Sequence, residues 1–352
     1  MRLELSALEA ALAPPRAYGT PAVSGILRAE PEDFVVEEDL GFAPSGAGQH
    51  VLLKVRKRNA NTQWVARELA RRAGCRPADV GYAGLKDRRA IAVQWFSVPR
   101  PAAPLSWHEA GDAEFAVLEA HAHTRKLPRG ALAGNQFTVR VGAGEGDGAR
   151  LAALLAPRLE EIARRGVPNY FGPQRFGGGG ANLARVAEEP DALHRAERGF
   201  VISAARSVIF NAVLAARVAD GTWEQLLRGD LANLEGRGSV FAVEENDADL
   251  RARSTQLQIH PTGPLWGRGS PPTGGAVLEI ESHIGARYAA ESRLCSAAGM
   301  RQERRSLRLA VQGLSCAAEA GGVVLRFRLG RGGFATAVLR ELMTADTLPQ
   351  EG

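Results

Sequence analysis

Strand-patterned segments occupy both ends of this chain, with a stretch of different texture between them, and that order limits the folds open to it. FVVEEDL (34–40) and HVLLKVRKR (50–58) alternate apolar with polar residues or are rich in β-branched ones, as a half-buried strand requires. Further strands are expected at AIAVQWFSVP (90–99), EFAVLEAHAH (114–123) and NQFTVRVG (135–142). Helical spacing marks NTQWVARELARRAG (61–74), with Asn61 or Thr62 as cap and Gly74 as stop, and a second helix from about Asp147 to Arg165 that ends at Gly166. After Gly166 come turn-rich VPNYFGPQRFGGGG, helices through SAARSVIFNAVLAARVADG (203–221) and WEQLLRGD (223–230), loops through GRGSVFAV and HPTGPLWGRGSPPTGG (260–275), and a helix over roughly Arg287–Gly299. Strand pattern returns at RLAVQG (308–313) and GVVLRFRLG (322–330), and FATAVLRELMTA reads as a closing helix opened by Gly332, Gly333 and Phe334. The expectation is an α+β protein: an antiparallel sheet flanked by helices, built from 1–165 and 309–352, with an inserted α/β domain at 166–308.

The 352 residues, 45% hydrophobic and 24% charged, suit a soluble globular chain, and no apolar run approaches the roughly 20 residues that span a bilayer. MRLELSALEAALAPP carries Glu4 and Glu9 in its apolar stretch, so it reads as a short amphipathic helix rather than a targeting signal. Three distant cysteines, Cys75, Cys295 and Cys316, imply neither a disulfide framework nor a metal site. His121 and His123 read as an alternating strand pair rather than as ligands. The net charge of +5 suits a polyanionic partner. Of the 44 basic residues only Lys54, Lys57, Lys86 and Lys126 are lysine, all in the first 126 residues, and three dense cationic runs hold them: KVRKR, LKDRR and HTRKLPRG. Such runs bind phosphates or form solvated faces.

Walker, GxSxG and HExxH motifs are absent, so chemistry here would rest on a carboxylate: Asp87, Asp33, Glu32, Glu37 or Glu38. In GYAGLKDRRA (81–90), Asp87 is flanked by Lys86, Arg88 and Arg89. Neighbouring cations favour an ionised carboxylate able to act as base or nucleophile, while an aspartate at such a place also serves as a turn or cap residue. The glycines Gly177–Gly180 open a helix and offer a weak phosphate cradle or a flexible joint.

EPEDFVVEE (30–38), GYAGLKDRRA (81–90), GNQFTVR (134–140), GVPNYFGPQRFG (166–177), SAARSVIFN (203–211) and GGFATAVLREL (332–342), in that order, resemble the TruD family of tRNA pseudouridine synthases. The resemblance implies an isomerase that converts a uridine of tRNA, uridine 13 in bacterial members, to pseudouridine with an aspartate and no cofactor or metal. It implies Asp87 as the catalytic residue, with Phe34, Asn135 and Phe334 against the target nucleotide and Lys86 as a further substrate contact; Arg28, four residues before Glu32, departs from the lysine that similar sequences carry there and is a further candidate contact. It implies tRNA as the partner, while the lack of a signal-like segment or membrane-length apolar run leads to the expectation of a cytoplasmic protein with no membrane and no obligate protein partner. Two rival readings are a non-catalytic RNA-binding module and a nucleotide-dependent enzyme using Gly177–Gly180.

Overall fold

The structure is a computed structural model that describes residues 5–27, 30–109, 111–142, 147–187, 195–245 and 247–345. Helix α1 (Ala7–Leu12) opens with a capping box, in which Ser6 Oγ accepts from Glu9 N and the Glu9 carboxylate accepts from Ser6 N. Strands β1 (Ser24–Leu27), β2 (Phe34–Asp39) and β3 (His50–Arg58) precede helix α2 (Thr62–Ala73). That helix starts where the Asn61 side chain accepts from Gln63 N and stops at Gly74 in the left-handed conformation. Strands β4 (Gly81–Tyr82), β5 (Ile91–Pro99), β6 (Phe115–His123) and β7 (Gly134–Gly142) lead to helix α3 (Gly148–Arg165), capped by Asp147 and ended at Gly166.

The middle of the chain supplies β8 (Val167–Pro168), α4 (Ala181–Ala184), α5 (Arg195–Ala219), β9 (Leu231–Leu234), β10 (Val240–Ala242) and α6 (Ala248–Thr255). It continues through β11 (Ile259–Leu265), α7 (Gly275–Arg287), α8 (Ala289–Ala297), β12 (Glu303–Ser306) and β13 (Arg308–Leu309). The chain returns through β14 (Val311–Glu319), β15 (Gly322–Gly330), α9 (Ala335–Leu342) and β16 (Thr344–Ala345).

Both ends of the chain enter one ten-stranded sheet whose main path runs β14-β15-β7-β2-β5-β3-β6, with β1, β16 and β4 attached to it. Its pairs are antiparallel except β2–β5 and β1–β16. Residues opposite one another share a face. One face therefore carries Phe34 and Val36 of β2, Phe137 and Val139 of β7, and Leu325 and Phe327 of β15. Helices α3 and α9 cover this half with Leu151, Leu155, Leu159, Ile162, Val338 and Leu342. The same face continues into Leu53 and Val55 of β3 and Phe96 and Val98 of β5, covered by Val65, Ala66 and Leu69 of α2. Between the two covers the face is polar: Asn135, Glu38, Gln94 and Lys57 are all buried there.

The middle segment has its own four-stranded sheet, β10-β9-β11-β12, and its own core around α5. Residues 197–219 are long and apolar enough to cross a membrane, yet 72% of the most apolar stretch is buried inside the protein, as in the core helix of a globular unit. Helix α1 packs in this second core, where Asn211 Nδ2 donates to Ala10 O.

Two expectations from the sequence fail locally, and one helix was not foreseen. WEQLLRGD forms turns rather than a helix, because the Asp230 carboxylate accepts from Leu227 N at 2.7 Å and pairs with buried Arg217 at 3.0 Å. Strand β11 runs through Pro261 and Pro264, in a segment expected to be loop, and pairs with β9 and β12 on its two edges. Helix α7, which the sequence reading passed over, starts at Gly275 with no side-chain cap.

Candidate active site

The segment 83–90 crosses the covered face of the sheet where it turns polar. Its entry is fixed by β4: a Cβ on Gly81 would lie 2.4 Å from Leu127 O, so only glycine allows that approach. Gly130 N donates to Ala83 O at 2.7 Å, and the Arg129 guanidinium lies 3.6 Å from the centroid of the buried Tyr82 ring. Thr62, at the start of α2, accepts from Lys86 N at 3.1 Å and donates to Gln94 Oε1 at 2.9 Å.

Asp87 itself is partly buried, and its backbone is held from below. The ammonium of Lys57, fully buried on β3, donates to Asp87 O and to Ala60 O, both at 2.7 Å. A cation removed from water needs such acceptors, and here they fix the carbonyl of the candidate catalytic residue.

The three flanking cations do not converge on Asp87, and adjacency in sequence does not require that they should. Lys86 turns inward, 2.8 Å from Glu38 Oε1 and 2.8 Å from Asn135 Oδ1, while Arg88 and Arg89 are exposed. The buried Glu38 completes its coordination by accepting from Trp95 N at 2.8 Å. Glu38 and Asn135 stand opposite each other on β2 and β7, so the ammonium bridges a cross-strand pair. The arrangement brings Asp87, Lys86 and Asn135 together at one end of the face.

Phe34 is only 3% exposed, in the layer with Phe137 at 6.0 Å between ring centroids. Its place is in the hydrophobic core rather than on an open wall. Phe334 is half-buried at the N-cap of α9, five residues beyond Leu329, which opposes Asn135. Its ring packs 6.2 Å from Phe171, at the margin of the second core. Arg28 lies outside the described residues. Gly178–Gly180 form a 3-10 turn before the four-residue α4.

The places of three residues were not foreseen from the sequence, which named Glu38 only among the candidate carboxylates. Lys57 shares the odd-numbered face of β3 with buried Leu53 and Val55, so strand alternation alone could have set it apart from the solvated run KVRKR. Glu38 likewise falls in phase with Phe34 and Val36 on β2. Arg305 is the third: its guanidinium lies 4.3 Å from the Phe171 centroid and 5.7 Å from that of Phe334. Burial, aided by the charge of Arg175, pushes Arg305 down to about 9.

A shallow groove of about 340 Å³ lies on the opposite face of the sheet, lined by Glu32, Arg56, Arg140 and Arg326 among others, so the Asp87 segment does not open into it.

Fold and site together define a class: an α+β enzyme scaffold with a cationic rim, in which a partly buried aspartate sits over the polar seam of a mixed sheet. A crystal structure of a Methanosarcina mazei protein assigned to tRNA pseudouridine synthase D has the same fold, with a TM-score of 0.71 over 97% of this chain and 98% of that one at 21% identity. The sequence model of the family described as tRNA pseudouridine synthase D (TruD) matches residues 15–190 and 186–342. Curated proteins of that name from Methylococcus capsulatus (44% identical over 94% of each chain), Nitrosococcus oceani (45% over 93% of each) and Pseudomonas aeruginosa (46% over 94% of this chain and 93% of that one) align nearly end to end. The chain belongs to the TruD family, tRNA pseudouridine synthase D.

Proposed function

We propose that this protein isomerises uridine 13 of tRNA to pseudouridine, with Asp87 as its catalytic residue. The observation that carries the reading is the fastening of the Asp87 backbone by buried Lys57, with Asn135 and Lys86 bonded beside it. The reaction breaks the N1–C1′ bond, turns the base, forms C5–C1′ and releases the C5 proton while N1 gains one. It adds no group, so it calls for no cofactor. Three openings suit one carboxylate: attack on C1′, attack on the base, or removal of the C2′ proton. Each requires the carboxylate to start unprotonated and to be held in place.

The target base must leave its stack, which costs a few kcal/mol. Stacking on an aromatic side chain returns about 1–3 kcal/mol per base. Phe334, half-buried at the head of α9, is suited to that role, and the position of Phe34 in the core suits it to supporting the floor below. Asn135 has an amide nitrogen to offer the nucleotide, since its oxygen accepts from Lys86. In this reading residues 1–165 and 309–352 form the catalytic domain, 166–308 form an inserted unit that grips the RNA, and Arg28 is a further substrate contact. The compartment it calls for is the cytoplasm.

Mapping pseudouridines in tRNA from cells with and without the gene tests the proposal. Loss of the modification at position 13 is expected, and an unchanged map would refute it.

A further inference from the structure

Arg305 is a half-buried cation with no carboxylate of the described residues beside it. Its neighbour on β12, Arg304, shows the usual arrangement, with its guanidinium bonded to both oxygens of buried Glu281 at 2.7 and 2.9 Å. Arg305 instead donates through Nη2 to Asn169 Oδ1 at 2.6 Å and to Gly332 O at 3.0 Å. Its Nε is sealed from solvent with no hydrogen-bond partner. No carboxylate of the described residues lies within ion-pair distance of it.

The charge that does act on Arg305 is a second cation. Arg175 places its guanidinium 5.1 Å from the centroid of Phe171, whose ring Arg305 also covers at 4.3 Å, and its Nη1 donates to Ser203 Oγ at 3.0 Å. Two like charges around one ring, one of them with its Nε sealed from water, cost stability unless something negative joins them. Both arginines lie beside the candidate base-stacking residue, since Phe334 is 5.7 Å from the Arg305 guanidinium and 6.2 Å from Phe171. The missing partner therefore carries a single compact negative charge with several acceptor oxygens and arrives next to an aromatic platform. A backbone phosphodiester has that form, and a guanidinium is the side chain best matched to it.

We propose that Arg305 and Arg175 form a binding site for one phosphodiester of the RNA, flanking the nucleotide that Phe334 receives. The inference rests on the RNA substrate proposed above. By holding Gly332 as well, Arg305 ties the arrival of that phosphate to the backbone that presents Phe334.

The test replaces the phosphates around the target uridine one at a time with uncharged methylphosphonates, in an assembled tRNA, and measures binding to the wild-type protein and to Arg175→Gln. One position should weaken wild-type binding by about tenfold and have little further effect on Arg175→Gln. That variant should also lower the slope of log Kd against log salt by about one, the signature of a lost phosphate contact. Arg305→Lys, which keeps the charge, should retain more affinity than Arg305→Gln, and the Arg175 and wild-type arms do not depend on either Arg305 variant folding. Equal losses in wild type and Arg175→Gln at every position would overturn the site. So would a binding preference for acidic peptides over RNA that Arg175→Gln abolishes. Failure of the functional reading would appear separately, as a wild-type protein that forms no pseudouridine in any of these RNAs while the binding pattern is still read.

Discussion

The ammonium of Lys57 donates to the main-chain oxygen of Asp87 across 2.7 Å from a side chain with no solvent exposure. A lysine is rarely buried so completely. Here it converts a surface loop into a fixed support for the carboxylate, because moving Asp87 would deprive the buried ammonium of one of its acceptors and the carbonyl of that donor.

Replacing Lys57 with methionine keeps the volume and removes the donor. The variant should lose about 100-fold in kcat, the order expected when a reacting group shifts by about an ångström, with KM little changed. Single-turnover kinetics on unmodified tRNA check this. Wild-type turnover in a folded Lys57→Met protein would show that the loop holds Asp87 without help.

Phe34 makes a different prediction from the one its motif suggests. Truncation to alanine should destabilise the protein by about 3–5 kcal/mol in urea unfolding, as for other buried aromatics. Phe34→Leu, which refills most of the space, should restore much of the stability and keep turnover. A Phe34→Ala protein of wild-type stability but slow turnover would mean that the ring meets substrate rather than core.

Stability should also depend on the protonation of His260. The ring is fully buried; its Nδ1 accepts from Arg308 Nε at 3.0 Å and its Nε2 donates to Glu235 at 2.6 Å, so the neutral tautomer satisfies both neighbours. Burial, the largest cause, holds its pKa below the usual 6.5 against the raising effect of Glu235. A depressed folded pKa favours the native state above the unfolded pKa. That contribution is lost as pH falls from 6.5 through the folded value, with a limiting slope of about 1.4 kcal/mol per pH unit. Denaturation series across that range should show the slope in wild type and a flatter one in His260→Gln. Parallel profiles would place the pH dependence elsewhere.

The parts of the fold that sequence patterning made legible are those where local signals and packing agree. Strands β2, β3, β5, β6, β7 and β15 and helices α2 and α3 fell where alternation, caps and glycine stops placed them. The exceptions have identifiable causes. In 223–230, Trp223 and Leu226 have helical spacing and are both buried, but the long-range tie of Asp230 to Arg217 decides the backbone. In β11 the two prolines argue against a strand, and the pairing survives because neighbouring residues such as Ile259, His260 and Thr262 carry the ladder and the core contacts. At the site, sequence adjacency suggested Lys86 as a counter-charge for Asp87, whereas the extended loop points the lysine at Glu38, which lies 48 positions away and is buried with it. Contacts of that kind depend on strand register, which a single sequence does not display.

Asp87 is the residue whose replacement is most informative. Purified Asp87→Asn protein, given tRNA carrying tritium at uridine C5, should bind the RNA and melt like wild type, yet release no tritium above background. Release at the wild-type rate would contradict the assignment of Asp87 as the catalytic residue.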